Sequence, residues 1–409
     1  MPKKNKHNDG RTVAELRFWQ SRPLSDKIQK TQETLENWVR EFQKYTVRDW
    51  YTGAERVICC SVDDIATRIT PDEDIVEQKN NVYISFSGGK DSTVLLHIAR
   101  QMYPDIEAVF ANTGLEFPEI QSFAKGFNNT TTIRPKMRFD EVIREYGYPF
   151  IGKEQADTIS GAKANLREGV YSLRLMKLGV SIEEATKMGL QFPSEEMLKR
   201  YTASCNGSKF LIPKYKPLLF VDFDISPYCC NVMKKAPFHE FEKESGKKPI
   251  TAQTAAESMT REAAWLKNGC NAFNAKRAIS NPMSFWTEQD ILRYIKENKI
   301  KIASVYGDIV YQTKDGLWYG DALIDCGGKL CATGCSRTGC IFCGFGAHRE
   351  KGEGRFERLK RTHPKQYDYC MGGGAYDTDG KWKPTKDGLG MAHCIDELNR
   401  LYGAGFIKY

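Results

Sequence analysis

The sequence has no apolar run long enough to cross a bilayer, and its lysine-rich start lacks the apolar core of a secretion signal. The expectation is a cytoplasmic protein. The GxGxxG fingerprint of dinucleotide binding is absent, and so is the longer GxxxxGK[ST] phosphate loop of kinase-type enzymes. Gly372-Gly373-Gly374 stands too far from any strand–helix unit to replace either. No segment repeats at a fixed period, which argues against a solenoid or propeller. An excess of one charge is missing too. Sixty Lys and Arg against 52 Asp and Glu leave +8, which permits an anionic partner without naming nucleic acid.

At 409 residues the chain can bury a substantial core and reads as a main domain with additions. Its thirteen cysteines are too sparse for a small secreted disulfide scaffold. Their placement says more than their number. Cys229-Cys230 stand together, and Cys331, Cys335, Cys340 and Cys343 cluster. Such arrangements in a reducing compartment point to a metal centre or to sulfur chemistry. Cys59-Cys60 also adjoin, but adjacency alone gives them no catalytic role.

The most informative segment is Ser87-Gly88-Gly89-Lys90-Asp91-Ser92, directly after the apolar run Val82-Tyr83-Ile84-Ser85-Phe86 and before Thr93-Val94-Leu95-Leu96. This order predicts a strand, a tight turn and a helix. Glycines let the backbone bring its N–H groups close to an anion, and a helix start adds unpaired donors and a favourable dipole. Lys90 adds a mobile positive charge, and Ser87 and Ser92 add hydroxyl donors.

Further strand–helix alternation follows. Ile106–Phe110 and Thr131–Pro135 read as strands, and Phe139–Tyr146 as a helix. The pattern predicts an α/β fold with a mostly parallel central sheet flanked by helices. Residues 12–44 read as one or two amphipathic helices docked on that domain, and Val47–Val62 as a small hairpin. The acidic segment 70–74 marks an approach to the main domain. Three regions result: an accessory region over 1–79, the nucleotide-binding domain over 80–350, and a cysteine-containing extension over 351–409. Within the second, residues 152–210 read as a helical insertion or lid. Its Lys153, Lys163, Arg167 and Arg174 either approach an anion or form a solvated face. Residues 254–267 and 285–298 predict further helices.

The loop Ser87–Ser92 resembles that of the N-type ATP pyrophosphatases and phosphoadenosine-phosphosulfate reductases. Asn112-Thr113-Gly114-Leu115-Glu116-Phe117-Pro118-Glu119 resembles the reductases' second nucleotide-binding segment, with Asn112 where an aspartate is usual. Thr251–Ser258 with Arg261 resembles their Arg-x-x-Glu-Ser-x-x-Arg segment, with Gln253 or Thr254 at the first arginine. The resemblance implies that Ser87, Gly88, Gly89, Lys90, Asp91, Ser92, Asn112, Thr113, Gly114, Glu257, Ser258 and Arg261 hold an adenine nucleotide. Arg261 would grip anionic oxygens with its planar fork.

Cys229-Cys230 with Cys340-x-x-Cys343 resembles the ligand pattern of iron–sulfur sulfonucleotide reductases, which implies a [4Fe-4S] cluster on Cys229, Cys230, Cys340 and Cys343. Lys234 and Lys235 just beyond the pair either neutralise phosphate or sulfate oxygens or form a solvated turn. Zinc on Cys331, Cys335, Cys340 and Cys343 is the rival reading. His348 and Arg349 either enter the cleft or lie on the surface.

Two activities follow from the resemblance. A sulfonucleotide reductase attacks the sulfur of adenylyl sulfate or phosphoadenylyl sulfate with a cysteine thiolate and yields sulfite, with a thiol reductant as partner. The family's terminal Glu-Cys-Gly-Leu-His segment is absent, which leaves Cys370 and Cys394 as candidate nucleophiles. The alternative is an ATP-dependent sulfurtransferase, which activates a DNA, RNA or other acceptor with Mg²⁺ and ATP and draws on a sulfur donor. A nucleotide-sensing regulator is a third reading.

Overall fold

The computed structural model describes residues 11–206, 211–313, 316–318 and 329–409. They divide into two compact units that interleave along the chain. The first comprises residues up to Asn112, Glu116–Arg134 and Pro237–Thr338, and the second Thr113–Leu115, Pro135–Ala236 and Gly339–Tyr409.

The first unit contains a six-stranded sheet. Its spatial order is Thr130–Ile133, Ala108–Ala111, Val82–Phe86, Lys248–Ile250, Ile279–Ser280, Asn271–Ala272. The first five strands run parallel and the last antiparallel. Val82–Phe86 lies inside the sheet, with Ile84 opposite Ala108 on one side and Ile250 on the other. Its near-continuous apolar run is what a strand covered on both faces requires. Helices Lys90–Met102, Leu24–Glu41 and Glu288–Glu297 supply Val94, Leu95, Ile98, Leu35, Trp38, Ile291 and Tyr294 to one core with it.

The expected docking of the amphipathic N-terminal helices is therefore found. Leu24–Glu41 is pinned by two polar links from its buried face. The Lys27 ammonium meets Asp290 at 2.7 Å, and the Trp286 indole donates to the Thr31 hydroxyl at 2.9 Å. The expected hairpin after it is a three-stranded antiparallel sheet, Glu55–Cys60, Gln43–Asp49, Glu73–Asn80 in spatial order. The third strand escaped the sequence reading because both its apolar residues, Ile75 and Val76, are exposed, so no alternation marks it. The sheet's own core is Tyr45, Val47 and Ile58.

The second unit is mostly helical, with a short parallel pair of strands, Phe150–Ile151 and Gly344–Phe345. Residues 152–206 form four helices, and the 351–409 extension forms three more, Arg355–Thr362, Pro364–Met371 and Met391–Tyr402. Ser181 starts the helix Ile182–Lys187 with a reciprocal cap, its hydroxyl accepting from Glu184 N and Glu184 accepting from Ser181 N.

Three of the four basic residues flagged in the insertion serve this packing. Arg174 stands 3.6 Å from Asp157 in an exposed pair. Lys163 is buried, donates to the carbonyls of Val221 and Phe223, and pairs with Asp224 at 3.3 Å. Burial holds the Lys163 ammonium down at about 8, while Asp224, which burial alone would raise, is held at about 2 by Lys163, Lys381 and Arg167. Asp224→Asn leaves those cations without their shared counter-ion. The expected cost is about 3 kcal/mol of stability, read as a lower urea midpoint at unchanged slope. An unchanged midpoint would show that the cluster is a solvated surface network.

Candidate functional site

The strand Val82–Phe86 opens into the loop at Ser87. Gly88 has φ +70°, and a Cβ there would come 2.8 Å from Ile120 Cγ2, so conformation and space both demand glycine. Gly89 caps the helix Lys90–Met102 without a side-chain hydrogen bond. The loop's hydroxyls brace it from within. Ser92 Oγ donates to Gly89 O at 2.9 Å, accepts from Ser87 N at 3.2 Å and lies 3.0 Å from Ser87 Oγ. Gly89 N donates to Ser87 Oγ at 3.3 Å. The predicted strand–turn–helix unit is present.

One residue far along the chain closes the loop. The Tyr306 hydroxyl accepts from Lys90 N at 3.1 Å and lies 2.6 Å from Thr338 Oγ1. Burial pushes that phenol up to about 12, so it is a neutral hydroxyl at physiological pH. Sequence reasoning missed both residues, because nothing local distinguishes a tyrosine that reaches back to a loop more than two hundred positions earlier. The Lys90 ammonium is nearly enclosed and stands 3.4 Å from both Asp91 and Glu288.

Arg261 lies in the same unit, on the helix Met259–Asn268, whose N-cap is Ser258 with its hydroxyl accepting from Arg261 N. The helix starts later than the sequence suggested, because Ala255–Glu257 form a separate 3-10 turn. Arg261 pairs with Glu257. Burial and the charge of Arg337 hold the Arg261 guanidinium below its ordinary range, with Asp91 opposing them. Loop, Arg261, Glu257, Asp91 and Arg337 therefore form one charged neighbourhood. Asn112 ends the strand Ala108–Ala111, its N–H donating to Ile133 O at 2.9 Å. Gly114 has φ +74°, and Thr113 Oγ1 accepts from Leu115 N.

The second unit carries the four cysteines of the expected cluster. Cys229 and Cys230 immediately precede a π-helical turn, Asn231–Lys235, and Cys340–Cys343 form a tight turn into the strand Gly344–Phe345. Arg355 donates to Cys343 O at 2.7 Å, and Ile341 N donates to Leu115 O at 2.8 Å. The four sulfurs feel one another. The hydrogen bond with Cys230, burial, and the nearby Cys343 and Cys340 push the Cys229 thiol well up. The Cys229 hydrogen bond holds the Cys230 thiol below its ordinary range against its burial, with help from Lys153 and Lys234. Lys153, the remaining basic residue of the insertion, thus faces a thiol.

Among the described residues no three His, Cys, Asp or Glu side chains stand arranged to hold a metal ion, and no disulfide joins the described cysteines. Four soft sulfur donors in one neighbourhood, with cations beside them, nevertheless fit the donor chemistry of an iron–sulfur cluster. Cys331 and Cys335 of the zinc reading belong to the first unit, on and after the strand Lys329–Ala332.

Cys370 and Cys394, the candidate nucleophiles, are both fully enclosed. Cys370 Sγ contacts Met391 Sδ at 3.4 Å, and burial pushes both thiols far up. Neither presents a thiolate to solvent in this conformation. Their aromatic and methionine neighbourhoods, invisible as local motifs, account for the burial. His348 stacks on Phe406 at 5.1 Å, and burial holds its imidazole below the ordinary range.

No described helix is long and apolar enough to cross a membrane. Among curated proteins, an uncharacterized protein of Methanocaldococcus jannaschii is 36% identical over 69 residues, which is 16% of this chain and 17% of that protein. The chain thus spans about a sixth of the length of the curated relative it matches. Residues 81–150 match the phosphoadenosine phosphosulfate reductase domain. The matched residues 81–150 carry the whole Ser87–Ser92 loop, its flanking strand and helix, and Asn112–Glu119.

Proposed function

We propose that the chain is an adenine-nucleotide-dependent enzyme of sulfur chemistry, with the nucleotide's phosphate groups on Ser87–Ser92 and an iron–sulfur cluster on Cys229, Cys230, Cys340 and Cys343. The observation that carries this reading is the loop itself. A left-handed Gly88 and serine-braced turn run from a buried strand into the start of a helix whose N-cap is Gly89, with Lys90 alongside. Arg261 would hold a second set of anionic oxygens.

Two reactions fit such a site. Sulfonucleotide reduction needs a thiolate at the sulfur of adenylyl or phosphoadenylyl sulfate, forming an S–S bond as the nucleotide leaves. The enclosure of Cys370 and Cys394 weighs against those two cysteines as that thiolate and favours the second reaction. There, an acceptor oxygen attacks the α-phosphorus of ATP and releases pyrophosphate, with Mg²⁺ neutralising the phosphates. A sulfur donor then displaces AMP from the activated acceptor, leaving sulfur where oxygen was. DNA and RNA are candidate acceptors. An iron–sulfur cluster would be held by the four thiolates and would supply iron and soft sulfur, with Lys153 and Lys234 beside Cys230 offsetting the thiolates' negative charge.

Anaerobically purified protein, supplied in parallel with ATP, adenylyl sulfate and phosphoadenylyl sulfate, discriminates between these readings. Acceptor-dependent pyrophosphate release is the expected result. Sulfite with AMP or adenosine bisphosphate would replace it by reduction. Binding with neither product would leave a nucleotide sensor.

A further inference from the structure

Among the described residues of the first unit, the cations Lys90, Arg261 and Arg337 belong to the neighbourhood of the loop, and they are not equally provided for. Lys90 faces Asp91 and Glu288, and Arg261 is paired with Glu257. Arg337 makes no ion pair with any described residue, and it is exposed. Its position is nonetheless fixed by its neighbours. Gly334 N donates to Tyr306 O and Cys335 N to Val305 O, both at 2.9 Å, so the segment lies along Ser304–Tyr306. Thr338 then meets the same Tyr306 hydroxyl that caps Lys90 N. A Cβ on Gly89 would lie 3.5 Å from Thr338 Oγ1, which sets the segment directly against the loop.

The chain at Arg337 therefore runs beside the phosphate loop, within the same charged neighbourhood as Arg261. Glu257 offsets the charge of Arg261 but no described carboxylate pairs with Arg337, so an anion bridging the two guanidinium groups would be held by the unmatched charge. We propose that Arg337 and Arg261 form a two-armed clamp for an anionic group of the nucleotide separate from the one cradled by Ser87–Ser92. This deepens the proposed function and rests on its nucleotide reading. The clamp selects nucleotides with a second anionic group over AMP, and Arg337 is its specificity-determining arm. The group it takes is tetrahedral and rich in oxygens: a terminal phosphate of ADP or ATP, or the 3′-phosphate of phosphoadenylyl sulfate.

The test uses calorimetric titration of the full chain, purified anaerobically, with AMP, ADP, ATP, adenylyl sulfate and phosphoadenylyl sulfate. Arg337→Ala should weaken binding of the nucleotides carrying the clamped group by about ten- to a hundredfold and leave AMP within about threefold. Arg337→Lys should restore only part of the loss, because an ammonium lacks the fork. A loss on ATP and ADP identifies the polyphosphate as the clamped group, whereas a loss on phosphoadenylyl but not adenylyl sulfate identifies the 3′-phosphate. Either supports the clamp. Equal loss for AMP and the longer ligands, no loss at all, or the same loss in the exposed-cation variant Lys301→Ala would overturn it. Failure of the parent protein to bind any nucleotide would instead overturn the underlying functional reading. Matched melting temperatures across the variants exclude misfolding as the cause.

Discussion

Lys90→Ala is expected to weaken adenine-nucleotide binding by about a hundredfold, equivalent to ~2.7 kcal/mol, while leaving the fold intact. Two effects act in the same direction. The variant loses the loop's own cation, and it leaves Asp91 and Glu288, each 3.4 Å from the ammonium, with no positive charge between them and the incoming phosphates. The loop survives because its bracing runs through Ser87, Gly89 and Ser92 and through the Lys90 backbone amide, none of which needs the lysine side chain. Titration of the folded variant and its parent with the same nucleotide checks this. Equal affinity would remove Lys90 from the site and with it the functional reading of the loop.

Serine substitution at Cys229, Cys230, Cys340 or Cys343 has the second large expected effect. Each variant should keep less than about half the iron and acid-labile sulfide of the anaerobic parent, because a hydroxyl is a poor substitute for a soft thiolate ligand. The motivation is the shared electrostatic neighbourhood of these four sulfurs within one compact unit. Serine variants of Cys331 and Cys335 serve as the comparison, since those residues belong to the other unit. Full iron and sulfide in all four single variants would sink the cluster. Zinc in the parent, lost in the Cys331 and Cys335 variants, would replace it with the compact four-thiolate reading.

Much of this was legible in the sequence because it rests on local physics. A strand covered on both faces must be almost wholly apolar, and Val82–Phe86 is, apart from the half-buried Ser85. A turn at positive φ needs glycine, and Gly88 is there. Helix Leu24–Glu41 declared its buried stripe through Leu35 and Trp38, and both are fully buried. What stayed hidden depends on distant pairing. Tyr306 and Thr338 gain their meaning only where they meet Lys90 N. The burial of Cys370 and Cys394 is set by neighbours such as Met391 and Tyr148, not by flanking residues. Strand Glu73–Asn80 was hidden for the opposite reason: a polar, exposed strand carries no hydrophobic period to read.

The order of strands in the six-stranded sheet has a consequence for synthesis on the ribosome. Val82–Phe86 can pair with Ala108–Ala111 soon after both have been made, but its other edge belongs to Lys248–Ile250. The intervening stretch takes roughly 10–30 s to translate at ordinary elongation rates. Throughout that interval the nascent chain carries an apolar strand with one open hydrogen-bonding edge, the geometry that invites association with another unfinished copy. Pulse-chase proteolysis of stalled chains should therefore find the phosphate loop protease-sensitive until residue 250 has cleared the exit tunnel, and protected only afterwards.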